Sequence, residues 1–311
     1  RRVPVVVNEL PSAFNQDVKA LIADEAHVHG GFLALLLEYH QPNLLNRVSI
    51  AGHGTGRLDT GELGDLAVRL PLLEEQWQIA EILGTWDVAI DRLVRRRAVA
   101  ERARSGLRGS IRSDPWVRLA ELLTEPRLLS AGSEQVHSVS VHRGVINQIE
   151  HLGRSFAAAT TSHYNRVEPG DIVYTKSPTG DFPYGIVKKS RLQEDAIVSP
   201  LYGVFRPRDE ATGTLVEAYF ESPLSAMNYL EPLVQKGAKN TIAITNRRFL
   251  EGRVPMPEDS ARREALAGLL EQSRTELDLI DRHIELLRLQ KRGLMQKLLS
   301  GEIRVGEGGA S

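Results

Sequence analysis

Apolar side chains near the C-terminus recur at alternating spacings of four and three residues. They are Leu266, Leu270, Leu277, Ile280, Ile284, Leu287, Leu294 and Leu298, and Ser273 and Lys291 occupy the two remaining positions. This alternation is typical of a coiled-coil seam, the apolar stripe along which two helices pack. It predicts a long helix over residues 266–298.

The same pattern occurs a second time, closer to the N-terminus. It consists of Ile79, Leu83, Trp86, Ile90, Leu93, Arg97, Ala100, Arg104, Leu107 and Ile111. At the constant offset that aligns these positions with the later ones, residues outside the apolar stripe also match, including Asp91 with Asp278 and Gly106 with Gly293. The chain therefore contains a long internal repeat, and the earlier pattern predicts a helix over residues 79–111, about 50 Å long.

Arg97 and Arg104 interrupt the earlier pattern at two apolar positions. Arginine stems often lie along an apolar groove while the guanidinium heads reach water. The alternative is that these heads contact a partner protein or DNA phosphate. Other arginines crowd the same stretch, namely Arg92, Arg95, Arg96, Arg102, Arg108 and Arg112.

The segments outside the long helices contain short β-like runs and short helices. Strands are predicted at 136–141, 171–174, 184–187, 197–199, 202–205 and 241–244, with helical stretches at 218–220 and 224–233. The shorter first segment predicts a helix at 32–39 and a strand at 48–50. Mixed short elements of this kind favour an α+β fold over a wound parallel sheet.

These patterns divide the chain into five predicted segments. They are a first globular segment (1–73), a first long helix (74–113), a second globular segment (114–257), a second long helix (258–302) and a disordered tail (303–311). The first globular segment is much shorter than the second, so we expect that its front is missing.

Composition restricts the class of protein. With 41% hydrophobic and 25% charged residues, the 311-residue chain is typical of globular proteins of two domains. The absence of cysteine excludes disulfides and agrees with a cytoplasmic location. The most apolar window, 32–37, is too short to cross a bilayer, so we expect no membrane partner. A net charge of −1 argues against a uniformly basic nucleic-acid binder, although local basic patches are present.

Motifs for catalysis and metal binding are missing from the sequence. The nine histidines lack metal-ligand spacing, and no G-x-S-x-G sequence is found. The glycine-rich loop at 52–57 (GHGTGR) lacks the residues of a nucleotide-binding loop. The Asn/Asp-Pro-Pro-aromatic tetrad of amino-methyltransferases is also missing, so any base methylation would be the work of a partner. We therefore predict no catalytic residue and no metal ligand.

Several stretches resemble the specificity subunits of type I restriction-modification systems. The sequence LPLLEEQ at 70–76, followed by IAEIL at 79–83, is similar to the start of a helix typical of that family. The ending LQKRGLMQKLLSGE at 289–302 resembles the family's C-terminal signature. PGDIV at 169–173 and VSPLYGVF at 198–205 are similar to its target-recognition domains. The resemblance covers most of the chain from about residue 15.

The resemblance implies an α+β protein with two globular target-recognition domains separated by two long antiparallel coiled-coil helices. Such a subunit reads a bipartite DNA sequence and has no catalysis of its own. The implied partners are double-stranded DNA, two methylation subunits and a restriction subunit. This chain would bind no cofactor itself, and S-adenosylmethionine is expected on the methylation subunit. The first domain resembles only part of a recognition domain.

A rigid helical spacer agrees with this reading, because it would hold two DNA half-sites about one helical turn, or about 34 Å, apart. The alternative from another class is a non-enzymatic coiled-coil scaffold whose globular domains bind protein. An enzyme is the third possibility, which methylation or cleavage by the isolated chain would reveal.

Candidate DNA contacts combine Lys and Arg, which neutralise phosphates, with side chains that can read base edges. In the second domain they are Lys176, Ser177, Thr179, Tyr184, Lys188, Lys189, Arg191, Lys236, Lys239 and Asn240. In the first domain they are Asn46, Arg47, His53, Thr55 and Arg57. The helix seam that joins the two long helices is predicted to include Leu83, Ile90, Leu93, Leu107, Leu277, Ile280, Ile284, Leu287 and Leu294. Any single candidate can instead be an ordinary solvated residue.

Overall fold

The computed structural model describes residues 2–8, 10–50, 56–153, 160–236 and 242–305. The chain forms two compact units. We call Arg1–Ala98 together with Asp278–Ser311 the N-terminal unit, and Val99–Leu277 the central unit. Among the described residues, no helix is both long enough and apolar enough to cross a membrane.

The N-terminal unit begins with a short helical and hairpin region. Its elements are α1 (Gly30–Tyr39), α2 (Gln41–Asn46), β1 (Val48–Ile50), β2 (Gly56–Leu58), α3 (Thr60–Gly64) and the start of α4 (Leu73–Ser110). β1 and β2 form an antiparallel hairpin in which Ser49 lies opposite Arg57. Asp59 caps α3 by accepting a hydrogen bond from the Gly61 amide, as aspartate commonly does at a helix start.

The strands of the central unit are β3 (Trp116–Arg118), β4 (Leu123–Thr124), β5 (His137–Ser140), β6 (Gly144–Asn147), β7 (Asn165–Val167), β8 (Ile172–Tyr174), β9 (Val187–Lys189), β10 (Ala196–Val198), β11 (Gly203–Pro207), β12 (Gln235–Lys236), β13 (Ile242–Ala243) and β14 (Arg253–Pro255). Its helices are the end of α4, α5 (Gln148–Leu152), α6 (Glu210–Phe220), α7 (Pro223–Leu230), α8 (Asn246–Glu251) and the start of α9 (Ser260–Ser300).

A four-stranded antiparallel sheet of order β4-β11-β8-β9 organises the central unit. Side chains alternate between its two faces, as the pleat requires. Ile172 and Tyr174 belong to the larger hydrophobic cluster, which includes residues of α6, α7 and α8. Val173 belongs to a smaller cluster with residues of β6, β7, β10 and β11. Phe249 of α8 is fully buried and stacks on the rings of Tyr174 and Phe205 at 4.7 and 4.8 Å.

The N-terminal unit has its own core between α1 and the two long helices. Its buried members are Phe32, Leu35, Leu36, Ile79, Leu83, Met295, Leu298 and Leu299. Gln76 of α4 is completely buried beside this core. Its amide nitrogen donates to the carbonyl oxygens of His27 and Pro71, and its amide oxygen accepts from the His29 backbone. This side chain therefore ties the residues before α1 to the start of α4.

Within the N-terminal unit, α4 and α9 run antiparallel. The Lys291 ammonium lies 2.6 Å from the Asp87 carboxylate, and the Arg97 guanidinium makes two hydrogen bonds of 2.5 and 3.0 Å to Asp281. The later residue of α4, Arg97, thus pairs with the earlier residue of α9, Asp281, as expected for antiparallel helices. The predicted long helices at 79–111 and 266–298 are confirmed, although α4 already begins at Leu73 and α9 spans Ser260–Ser300.

The predicted internal repeat is confirmed by the order of elements. The starts of β1, α3 and α4 align with those of β12, α8 and α9 at nearly the same offset, since Val48 corresponds to Gln235 and Leu73 to Ser260. Each unit therefore contains a short hairpin, a short capped helix and a long helix in succession. Asp59 and Thr245 cap the two short helices through side-chain oxygens.

Two boundaries predicted from the sequence are corrected. The strand predicted at 184–187 begins instead at Val187, because Gly185 has a φ of 97° and belongs to a turn. The helix predicted at 224–233 ends at Leu230, and a 3-10 turn at Glu231–Leu233 follows where Pro232 interrupts regular hydrogen bonding.

The structure corrects the interpretation that the head reaches water for Arg104 but not for Arg97, whose side chain is 42% exposed. Arg97 is paired with Asp281 across the helix pair. Arg104 is only 5% exposed, and its guanidinium binds the Glu221 carboxylate, the Leu270 carbonyl and the Ser273 hydroxyl. The two arginines interrupt the apolar pattern because acceptors within the same unit satisfy them.

Candidate nucleic-acid interface

The loop between β8 and β9 presents several of the predicted DNA contacts. Thr179 and Phe182 exchange two backbone hydrogen bonds of 3.0 Å, which closes a tight turn. The Phe182 ring is 8% exposed and packs in the larger cluster. The Tyr174 hydroxyl donates to the Tyr184 carbonyl at 2.8 Å. The loop is thus fixed at its base, while Ser177 and Thr179 are exposed at its tip.

Lys176 has an unusual backbone conformation in this loop. Its φ of 60° lies in the left-handed region, which is strained for a residue with a side chain. Burial lowers the pKa of its ammonium, and the charge of Glu125 opposes that effect. Within the described part of the chain, no hydrogen bond or ion pair holds this ammonium. Strain of this kind concentrates at functional sites, and the contact of Lys176 with DNA stays a prediction.

Tyr184 lies at the end of the loop that precedes β9. Its hydroxyl donates to the Glu231 carboxylate at 3.3 Å. Desolvation and the neighbouring Glu231 charge raise the pKa of this phenol, so it stays protonated at neutral pH. Since its single hydrogen is directed to Glu231, the partly exposed phenol oxygen can accept a hydrogen bond from a base edge.

Three of the predicted DNA contacts are not in an exposed loop, namely Lys188, Lys189 and Arg191. The structure therefore corrects the prediction that these cations are accessible to DNA. Lys188 and Lys189 are 7% and 4% exposed and belong to β9. The Lys189 ammonium is 2.9 Å from the Thr214 hydroxyl and 3.5 Å from Glu271. Burial lowers the pKa of Lys188 while the charges of Glu217 and Glu221 oppose it. Lys189 is thus paired with an acid of the same unit, and Lys188 is buried within the field of two others.

Arg191 is engaged in the same way. Its guanidinium lies 2.6 Å from the Glu217 carboxylate and 2.9 Å from that of Glu271. Although burial alone lowers the pKa of Arg191, hydrogen bonds to these two carboxylates raise it. The predicted basic patch at 188–191 is therefore part of an internal ionic network.

We call this network the buried charge cluster. Its members are Arg104, Arg108, Lys189, Arg191, Glu217, Glu221, Glu271 and Arg274. Glu217 and Glu221 are 1% and 7% exposed at their side chains. Because its members come from α4, β9, α6 and α9, the cluster joins the sheet to the long helices within the central unit. Sequence reasoning missed it, although two glutamates four residues apart in an apolar helix are a detectable signal.

The two hairpins account for the remaining candidates. Arg47 precedes β1 and donates to the Glu62 carbonyl at 2.7 Å, whereas Arg57 in β2 and Asn46 at the end of α2 are exposed. Lys236 lies in β12, but its side chain is outside the described residues. Four further candidates lie outside the described residues, namely His53, Thr55, Lys239 and Asn240. Their DNA contacts stay predictions.

The predicted helix-seam residues are buried or half-buried. Leu83, Leu277, Ile280 and Ile284 are buried, with exposures of 0%, 8%, 5% and 5%. The others are half-buried, namely Ile90, Leu93, Leu107, Leu287 and Leu294.

On α9, other leucines face solvent. Leu279, Leu286 and Leu289 are 63%, 48% and 62% exposed. Spacings of seven and three residues place them on a common side of the helix. An exposed apolar stripe of this kind commonly marks a protein interaction surface.

Part of the chain is similar to a known family of domains. Residues 4–101 match the type I restriction modification DNA specificity domain. No curated protein matches the chain. The S subunit of a type I restriction-modification system from M. genitalium is similar in structure, with a TM-score of 0.59 and 12% identity over 89% of this chain and 74% of that one.

Two other solved structures match more loosely. The HsdS subunit from Thermoanaerobacter tengcongensis has 14% identity and a TM-score of 0.38 over 90% of this chain and 72% of that one. The third structure comes from work on complex assembly and conformational transition of the type I R-M system. It has 14% identity and a TM-score of 0.43 over 90% of this chain and 73% of that one. The likeness to the S subunit from M. genitalium concerns the fold. Residues 4–101 are therefore similar to a type I restriction modification DNA specificity domain, and the chain has a fold similar to that of an S subunit.

Proposed function

We propose that this chain is the DNA sequence-recognition subunit of a type I restriction-modification complex and that it reads a bipartite target. The observation that carries the proposal is the repeated order of hairpin, short helix and long helix in the two units. A duplicated recognition unit suits a target made of two half-sites. Two globular recognition domains separated by two antiparallel coiled-coil helices are the architecture that this function needs.

Among the residues that the structure describes, the proposed DNA contacts form two sets, one in each unit. In the central unit, Lys176 would neutralise a phosphate while Ser177, Thr179 and Tyr184 supply donors and acceptors for base edges. In the N-terminal unit the set is Asn46, Arg47 and Arg57. Exposure supports Ser177, Thr179, Asn46 and Arg57.

The chain has no catalytic function of its own in this proposal, and S-adenosylmethionine binds to the partner methylation subunits. Two methylation subunits and a restriction subunit assemble on it. The exposed leucines of α9, Leu279, Leu286 and Leu289, support a protein partner on that side of the helix.

The proposal is tested by purifying the chain together with the neighbouring methylation subunit and mapping methylated adenines in DNA treated with the complex. A split motif is expected. Methylation of one half-site, or of its inverted repeat, would show that only one unit reads sequence. DNA binding without sequence preference would contradict the proposal. Assembly with protein partners but no DNA binding would favour the scaffold alternative.

A further inference from the structure

A short two-stranded ribbon in the central unit carries two facing arginines. β3 and β14 pair antiparallel, with Arg118 directly opposite Arg253 and Trp116 opposite Pro255. Because side chains alternate along a strand, Val117 and Val254 face the opposite way, and Val254 is completely buried. Both arginines are exposed. The outer face of the ribbon is therefore basic.

Two like charges directly opposite each other destabilise a strand pair. Among the residues that the structure describes, neither arginine is paired with a carboxylate. Arg253 donates to the Trp116 carbonyl at 3.1 Å, which holds its guanidinium beside the ribbon. An external anion bound between the two arginines would relieve their repulsion.

Nearby arginines behave differently. Arg262 lies 3.2 Å from the Asp114 carboxylate, and Arg247 lies 3.5 Å from that of Glu251. Two acids close in sequence to the ribbon, Asp114 and Glu251, are thus paired with other arginines. The charge on Arg118 and Arg253 is left available to a ligand.

Trp116 supplies an apolar surface on the same face. Its side chain is 50% exposed although its ring meets that of Tyr219 edge-on, with centroids 6.1 Å apart. An exposed indole beside two guanidinium groups can pack against a deoxyribose while the arginines bind phosphate. Guanidinium groups bind phosphate through paired hydrogen bonds. Two facing positive charges suit an anionic phosphate better than a neutral base edge.

We propose that the outer face of the β3–β14 ribbon, formed by Trp116, Arg118 and Arg253, binds the phosphate backbone of duplex DNA. The inference rests on the proposed DNA-recognition function and deepens it. The ribbon contributes affinity that does not depend on sequence, whereas the β8–β9 loop contributes the choice of sequence.

The test measures the affinity of the complex with its methylation subunit for DNA at several salt concentrations. Arg118→Ala and Arg253→Ala are compared with the wild type on two DNA duplexes. One carries the sequence motif that methylation mapping identifies, and the other carries a scrambled sequence. Each lost phosphate contact reduces the slope of log affinity against log salt by about 0.9. Between 50 and 200 mM salt, each substitution should therefore reduce the salt-dependent loss of affinity by about threefold. The weakening should be equal on both DNAs.

Arg262→Ala is the matched control, because it removes an exposed arginine from the same region whose charge Asp114 already neutralises. It should leave the slope unchanged. Arg118→Lys should retain most of the slope, since it keeps the charge. Thermal unfolding of each variant shows whether the ribbon still folds.

A slope that is the same in Arg118→Ala, Arg253→Ala and the wild type would overturn the inference, as would an equal loss in Arg262→Ala. Either result would leave the proposed function standing if the wild-type complex still prefers its motif. If the wild type shows no such preference, the proposed function fails, and the slope on scrambled DNA still decides whether the ribbon binds phosphate. Binding of an acidic peptide instead of DNA would also contradict the inference.

Discussion

Substitution of Glu221 by glutamine should destabilise the central unit strongly. Glu221 is 7% exposed and accepts hydrogen bonds from Arg104, Arg108 and Arg274. Glutamine has nearly the same volume but no charge, so Arg104 would be buried without its carboxylate. Removing one partner of a buried ion pair costs about 3–5 kcal/mol.

The pKa of Glu221 supports the direction of this effect. Burial alone raises the pKa, but hydrogen bonds from Arg104 and the charges of Arg104 and Arg274 lower it from 4.5 to about 2. The folded central unit therefore favours the ionised carboxylate over a neutral group at this position.

The assay is urea unfolding followed by tryptophan fluorescence. Because the chain has two units, a single transition is not assumed. Trp77→Phe and Trp86→Phe in the background leave Trp116, which belongs to the central unit, as the remaining tryptophan. Glu251→Gln is the control, since Glu251 is 54% exposed and pairs with Arg247 on the surface. Its expected cost is about 0–1 kcal/mol.

The reasoning is refuted if Glu221→Gln costs no more than Glu251→Gln. The pH dependence gives a further check. Because the pKa of Glu221 is lower in the folded chain, its stabilisation is complete above about pH 4.5 and is lost as the pH falls toward 2. The difference in stability between wild type and Glu221→Gln should therefore shrink over that range.

Three other substitutions test separate parts of the structure. Gln76→Ala leaves the His29 amide and two carbonyls without partners, so it should destabilise the N-terminal unit by about 1–3 kcal/mol in urea unfolding. Lys176→Gly relieves the left-handed strain but adds chain entropy, so stability should change by less than about 1 kcal/mol while DNA affinity, measured by titration, falls. Gly185→Ala should destabilise the β8–β9 loop and lower the thermal unfolding temperature, because a Cβ there would lie 2.7 Å from the Lys176 backbone nitrogen.

The long helices could be predicted from the sequence because their signal is local and repeated. Leu270, Leu277, Ile280 and Ile284 recur with a fixed period, and all four are buried in the structure. The same period also revealed the duplication, since the pattern that starts at Leu266 is already present from Ile79.

The roles of charged residues could not be predicted in this way. Lys189 and Arg191 form a basic run in the sequence, and only the fold brings Glu271 of α9 within 3.5 and 2.9 Å of them. Arg104 and Glu221 are likewise 117 residues apart in the chain. Pairing over such separations depends on tertiary structure, which neither periodicity nor composition encodes.

The β8–β9 loop was correctly predicted as a loop, but its conformation was not. The left-handed backbone of Lys176 accompanies the close approach of Gly185, and no residue-type pattern indicates it. The facing arginines of the β3–β14 ribbon were missed for a similar reason, since Arg118 and Arg253 lie at opposite ends of the central unit's sequence and only strand pairing brings them together.

The central claim is that side chains of this chain choose the DNA sequence. The most direct test is to replace Ser177 and Thr179 together by alanine and to map methylated adenines after treatment of DNA with the complex. These two residues are exposed at the tip of the β8–β9 loop. The account predicts that one half of the motif becomes relaxed while the other half is unchanged. An unaltered motif, with full methylation activity, would contradict it.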